Sequence, residues 1–228
     1  MKYFLVIIAT LLSMSSFAQQ MSYKEWQEKA SAEINLRPEY GNVKKDKAHI
    51  EEDQKFIQTV LKEDVTNRKG SEHLVQLGFT YLYRGDLETA MRRFNQAWLL
   101  DPKNENAYWG FAAIYFAFND YDEALKQEDK GLVINPNSSN ILTDKATLYT
   151  GLYMSKHDIN YLNKAIYIFN KSYKIDPTNQ NTLFKLSAAY FYKKDCSNAW
   201  KFYDECMKLG GKSISPGYAD ALRKQCSR

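Results

Sequence analysis

The chain has 228 residues, with 31 Lys and Arg set against 27 Asp and Glu, and its net charge of +4 is spread along its length. That balance excludes a basic nucleic-acid stripe, and a run such as Glu51-Glu52-Asp53 reads as a solvated helix face. A content of 17 Tyr and 12 Phe beside only 5 Pro and 10 Gly excludes a disordered or loop-dominated chain and favours packed helices.

The first element is MKYFLVIIATLLSMSSFA, residues 1–18, with a short basic start and an apolar run from Phe4 to Leu12. The run is far shorter than the roughly 20 residues that a bilayer-spanning helix needs. Ser16 and Ala18 place small residues three before and one before a cut, the pattern of a secretory signal peptide. The expectation is cleavage after Ala18, a mature chain starting at Gln19, a periplasmic or secreted location and no membrane span after cleavage. No Cys follows the apolar run, so a lipid-anchored mature end lacks its acceptor.

Next, Tyr23 to Leu36 reads as an amphipathic helix carrying Trp26, Ile34 and Leu36, and RPEYGN at 37–42 breaks it. Ile50, Phe56, Ile57, Val60 and Leu61 mark a second helix. Residues 19–70 are therefore an N-terminal helical cap or a degenerate hairpin.

Beyond residue 70 the chain repeats. LLDPKN at 99–104 returns as VINPNS at 133–138 and as KIDPTN at 174–179. Proline lacks a backbone N–H and pushes its predecessor out of the helical region, so each Asp/Asn-Pro pair stops a helix and turns the chain. Pro102 and Pro136 are 34 residues apart, and the same interval links Gly78 to Ala112, Tyr81 to Tyr115 and Ala90 to Ala124. A period of 34 with helical apolar spacing predicts stacked helical hairpins.

In the first unit Leu74, Leu77, Gly78 and Tyr81 share one helix face, and Ala90, Phe94 and Ala97 share a face of the next. Gly78 and Ala90 are small where two helices cross closely, and Phe94 fills the space beside them. This pattern, L-x-x-L-G-x-x-Y, A-x-x-x-F and then P, closely resembles the tetratricopeptide repeat (TPR) family. The second unit keeps Tyr108, Phe111, Ala112, Tyr115, Ala124 and Pro136 but departs at Glu128 and Gly131, where the pattern has an aromatic and an alanine. The third keeps Leu142, Ala146, Tyr149, Ala165, Phe169 and Pro177 with a longer interval of 41 residues, and the fourth keeps Leu183, Leu186, Ser187, Tyr190, Ala199 and Tyr203.

The resemblance implies an all-α, right-handed helical-hairpin solenoid of about four units, 71–104, 105–138, 139–179 and 180–213. Gly210 and Gly211 end the last unit, and a capping helix within 214–228 is expected, with Ser215 as N-cap and Pro216 in its first turn.

No phosphate-cradling Gly-rich loop, His-Glu-x-x-His, Gly-x-Ser-x-Gly or Cys-x-x-Cys occurs, and His49, His73 and His157 lie in three different elements. No enzyme activity, cofactor or metal site is expected. An exported chain meets an oxidising compartment. Cys206 takes a small core slot, and Cys196 and Cys226 form a disulfide if the cap stacks like another first helix. Otherwise all three are separate thiols.

Function in solenoids lies on the concave face lined by the first helix of each unit. One residue round from the packing stripe lie Val75, Phe79, Leu82 and Tyr83, then Trp109, Ala113, Phe116 and Ala117. The series continues with Thr143, Thr147, Thr150 and Gly151, then Phe184, Ala188, Phe191 and Tyr192. This predicts an aromatic groove with a Thr-lined middle, whose candidate ligand contacts are Phe79, Tyr83, Trp109, Phe116, Phe184, Phe191 and Tyr192.

The family's chaperone-tail binders hold a carboxylate with Lys, Asn and Arg. The matching places here carry Val75, Phe79, Gly110, Asn140 and Asp144, which does not support that activity. The expected function is a scaffold that binds a protein or peptide segment, with a carbohydrate-binding accessory or an enzyme with an unrecognised site as alternatives. Residues 19–42 could instead fold into the groove and fill it.

Overall fold

The computed structural model of the protein describes residues 21–227, so the expected signal peptide at 1–18 lies outside the described residues. Eleven α-helices and no strand occur among them. Eight form four antiparallel hairpins: α3 (Asn67–Tyr83) with α4 (Leu87–Leu100), α5 (Glu105–Ala117) with α6 (Tyr121–Ile134), α7 (Ser139–Lys156) with α8 (Ile159–Ile175), and α9 (Gln180–Tyr192) with α10 (Cys196–Lys208). The first helices α3, α5, α7 and α9 pack on one another in sequence, and each second helix packs on the first helix of the following unit. First helices therefore make the inner, concave layer and second helices the outer one, which is the helical-hairpin solenoid expected.

The recurring Asp/Asn-Pro pair has a local physical cause. The Asp101 carboxylate accepts the N–H of Lys103 at 2.9 Å, bending the chain past Pro102, and Asn104 then caps α5 by accepting the N–H of Asn106 at 3.1 Å. Asn135 and Asp176 accept from Asn137 and Thr178 in the same way, with Ser138 and Asn179 as the caps that follow. Short polar side chains supply here the partners that Pro and the helix ends leave missing.

Among the described residues the core forms four clusters of buried residues along the stack. Ala90 and Ala124 are fully buried at the hairpin crossings. A Cβ on Gly78 would stand 2.4 Å from the Phe94 ring, and one on Gly110 would stand 2.2 Å from it, so that ring is wedged between two glycines of successive first helices. In the third unit the extra residues lengthen both helices to 18 and 17 residues, and His157 turns the chain between them in the left-handed region at φ 55°.

The N-terminal segment departs from expectation. The helix ends at Ala32, not Leu36, giving α1 (Tyr23–Ala32), a turn of 3-10 helix at Ile34–Leu36 and a left-handed turn within Pro38–Asn42, where Glu39, Tyr40 and Gly41 have φ 56°, 55° and 67°. α1 does not pair with α2 (Lys47–Asp64) as a hairpin. Instead residues 21–42 form a strap over the outer helices. Trp26 is buried against Phe118 at 5.4 Å between ring centroids, and Tyr23 donates to Asp120.

The strap's anchor is Asn95, buried in α4. Its amide donates to the carbonyls of Asn35 at 2.9 Å and Arg37 at 2.8 Å, and its oxygen accepts the Tyr40 N–H at 3.2 Å. Three hydrogen bonds from one side chain tie the strap's backbone to α4, adding to the bond that the Tyr40 N–H makes to the Arg37 carbonyl within the strap. The strap thus lies on the second-helix face, and residues 21–42 do not fill the groove.

At the other end, α11 spans Tyr218–Gln225, starting later than expected. Gly217 at φ 78° is its N-cap, in place of Ser215, and no side chain caps it. Gly210 and Gly211 turn the chain out of α10 at φ 103° and 64°, their N–H groups bonding the carbonyls of Met207 and Cys206. Cys196, opening α10, and Cys226, just past α11, are joined by a disulfide, and the Cys206 thiol is buried and free.

Candidate functional site

The concave layer has an open half and a covered half. The open half is an aromatic cleft of about 290 Å³ between α3 and α5, lined by Phe79, Leu82, Tyr83, Trp109, Ala113 and Phe116. Helical spacing sets Phe79 and Tyr83 one turn apart, with ring centroids 6.1 Å apart. Phe79 stands 4.5 Å from Trp109 on the next unit and meets Phe94 edge-on at 5.1 Å, so the cleft floor is braced from the core. Tyr83 is 82% exposed and Phe116 42%, so both present aromatic surface to the cleft.

The remaining expected groove residues are placed differently. Phe184 and Phe191 are not free walls. Tyr218 of α11 packs edge-on against both, at 5.3 and 5.9 Å, while its hydroxyl meets Ser187 Oγ at 2.8 Å. The cap takes the place of a further first helix, so its aromatic covers the face that the stacking would otherwise leave open. Tyr192 stays partly exposed beside Tyr153 at 6.4 Å, away from the cleft.

Val75 is buried in the first unit's core, and Thr143 is buried in a hydroxyl cluster with Ser172 at 2.8 Å and Thr182 at 2.6 Å. The hydroxyls of Thr147 and Thr150 are turned back onto the carbonyls of Thr143 and Ala146. The Thr-lined middle is therefore mostly internal structure.

What joins the cleft at its centre is a charged notch of about 80 Å³, lined by Ala112, Ala113, Phe116, Glu128, Asp144, Thr147, Leu148 and Lys185. Trp109 donates its indole N–H to Asp144 at 2.6 Å, so the aromatic floor and the notch share a residue. Burial pushes the Glu128 carboxyl well above the ordinary carboxylate range, and the nearby Asp144 adds to this. Burial raises Asp144 as well, opposed by the Trp109 hydrogen bond and by Lys185. Burial lowers the Lys185 ammonium, and Asp144 partly restores it. None of the three was among the candidate contacts, although the repeat arithmetic carried the signal. Glu128 stands 34 residues after Phe94, and Asp144 stands 34 after Gly110.

Comparison with known proteins agrees with this geometry. A family model described as tetratricopeptide repeat matches residues 81–147. The chain is a tetratricopeptide repeat protein. A TPR repeat-containing protein of Methanocaldococcus jannaschii is 27% identical over 164 residues, which is 70% of this chain and 27% of that protein. An N-terminal acetyltransferase A complex subunit-like protein of Schizosaccharomyces pombe is 29% identical over 115 residues, covering 50% of this chain and 16% of that protein. The chain thus spans well under a third of either relative.

Among solved structures, a thermophilic TPR protein from Thermus thermophilus superposes with a TM-score of 0.58 at 16% identity, over 68% of this chain and 80% of that one. A tetratricopeptide repeat protein from Parabacteroides merdae gives a TM-score of 0.51 at 22% identity, over 68% of this chain and 59% of that one. TPR proteins are in general protein–protein interaction scaffolds, using the concave surface that stacked repeats create. No helix among the described residues is long and apolar enough to cross a membrane.

Proposed function

We propose that this TPR protein is an exported, non-enzymatic scaffold that binds an extended peptide segment of a partner protein in the cleft between α3 and α5. The observation that carries this is the bare aromatic surface of Tyr83 and Phe116 over a floor rigidly set by Phe79 and Trp109. A braced aromatic floor loses little side-chain entropy on binding, and aromatic anchors in a concave site dominate peptide recognition. The strap on the outer face leaves the cleft open, and the cap on Phe184 and Phe191 confines binding to the N-terminal half.

The test is selection of peptides from a displayed random library on the whole protein and on a Tyr83→Ser/Phe116→Ser variant. Both side chains are exposed, so the variant keeps its melting temperature. Wild type enriches peptides sharing an aromatic or aliphatic anchor, and the variant binds those peptides at least about tenfold more weakly, the equivalent of one lost anchor contact. Equal binding by the variant would place recognition elsewhere.

Export is supported by the sequence of residues 1–18 and by the sense a disulfide makes in an oxidising compartment. Intact mass of the protein made in a secreting bacterial host is expected to begin at Gln19, with or without cyclisation. A chain that retains Met1 and stays in the cytoplasm would remove the export reading.

A further inference from the structure

The second unit has a place where the repeat's own logic is broken. At the junction before it, the Phe94 ring fills the notch left by Gly110. One period later the same two places carry Glu128 and Asp144, so an aromatic plug and a glycine have been exchanged for two carboxylates. Glu128 is only 2% exposed, and its Oε2 has no hydrogen-bond partner among the described residues although it lines the notch. A buried carboxylate oxygen without a partner is costly and uncommon in a folded protein.

The nearby cations do not complete the set. Lys145 is paired with Asp129. Lys185, from α9, is drawn to Asp144 but forms no ion pair within 4.0 Å among the described residues. Asp144 has Lys185 beside it, whereas the Glu128 carboxyl, which burial favours in its protonated form, has no cation of its own among the residues lining the notch. Its collar is apolar, with Ala112, Ala113, Leu148 and the exposed Phe116 ring around the opening.

We propose that this notch is a recognition site for the ammonium group of a lysine side chain, carried by the peptide that lies in the aromatic cleft. The lysine stem lies against Phe116 and Ala113, and its ammonium donates to Glu128 Oε2. Binding releases to solvent the proton that burial favours on Glu128, and the carboxylate so formed takes the ammonium as its missing partner in one charge-assisted hydrogen bond. A lysine fits better than a peptide N-terminus, because an α-ammonium brings a carbonyl into a collar that is apolar. The inference rests on the cleft as the peptide site for its source of lysine, but the ammonium site itself can be tested without a peptide.

The probe is n-butylammonium, titrated into the full-length protein while the indole N–H signal of Trp109 is followed by NMR. That signal is assigned by its loss in Trp109→Phe, and it reports on the notch because the indole bonds to Asp144. The expected result is a saturable shift with n-butylammonium, none with n-butanol at equal concentration, and at least about tenfold weaker binding in Glu128→Gln. Glu128→Ala gives the same loss and serves if the first variant fails to fold.

An equal shift with n-butanol, tighter binding of glycinamide than of n-butylammonium, or undiminished binding in a folded Glu128→Gln protein would each overturn the assignment. Loss of ammonium binding while selected peptides still depend on Tyr83 and Phe116 sinks this inference alone. Ammonium binding with peptides indifferent to those two residues sinks the peptide reading alone.

Discussion

Replacing Phe94 with alanine is expected to cost about 3–5 kcal/mol of stability, the range for deleting a fully buried aromatic ring. The ring is fully buried and touches both Gly78 of its own hairpin and Gly110 of the next, so its loss opens a hole at a junction between units. Gly110→Ala acts from the other side. Its methyl would stand 2.2 Å from Phe94 Cδ1, and overpacking of this kind costs about 1–3 kcal/mol or more. The decisive measurement is the double variant in chemical denaturation. The alanine methyl occupies space the ring has vacated, so Phe94→Ala/Gly110→Ala should be no less stable than Phe94→Ala alone. Strictly additive losses would show that the two residues are not in contact.

Breaking the disulfide is the second large effect. Cys196 and Cys226 close a loop with a sequence separation of 30, for which loop-closure entropy gives about 3–4 kcal/mol. The loss acts on the cap. α11 is a helix of 8 residues without a side-chain N-cap, too short to persist unpacked. Held, it buries Leu222, lets Trp200 donate to the Cys226 carbonyl at 2.9 Å and covers Phe184 and Phe191. Cys196→Ser should therefore lower the melting temperature and bring rapid proteolysis between residues 209 and 217, and a reducing agent should do the same to wild type. Cys206 provides the internal control. It is buried, and burial raises its thiol pKa, so it should react with a thiol reagent only on unfolding. Unchanged stability and protease resistance after reduction would mean that packing alone holds the cap.

The repeat architecture was legible in the sequence because its causes are local and periodic. Pro102, Pro136 and Pro177 mark the hairpin boundaries by steric rules that operate within a few residues. Small residues at 78, 90 and 124 mark the helix crossings, because a crossing leaves no room for more. The longer third unit was legible for the same reason, its added residues falling between two recognisable helix faces. The aromatic half of the cleft followed from rotation about α3 and α5, the first helices of two units in 34-residue register.

Tertiary structure alone decided what lies against those faces. Asn95 looks like a polar residue on an outer helix face, and it is the backbone of the strap, distant in sequence, that makes it a buried anchor. Phe184 and Phe191 have the same helical positions as groove residues, but the disulfide-held cap places Tyr218 over them. Glu128 and Asp144 could be seen as irregularities in a 34-residue pattern. That they face the same notch as Lys185, with one oxygen left unpartnered, depends on three helices from three units meeting at one point. A helix fixes which way a side chain points, whereas its exposure and its charge balance depend on the surface brought against it.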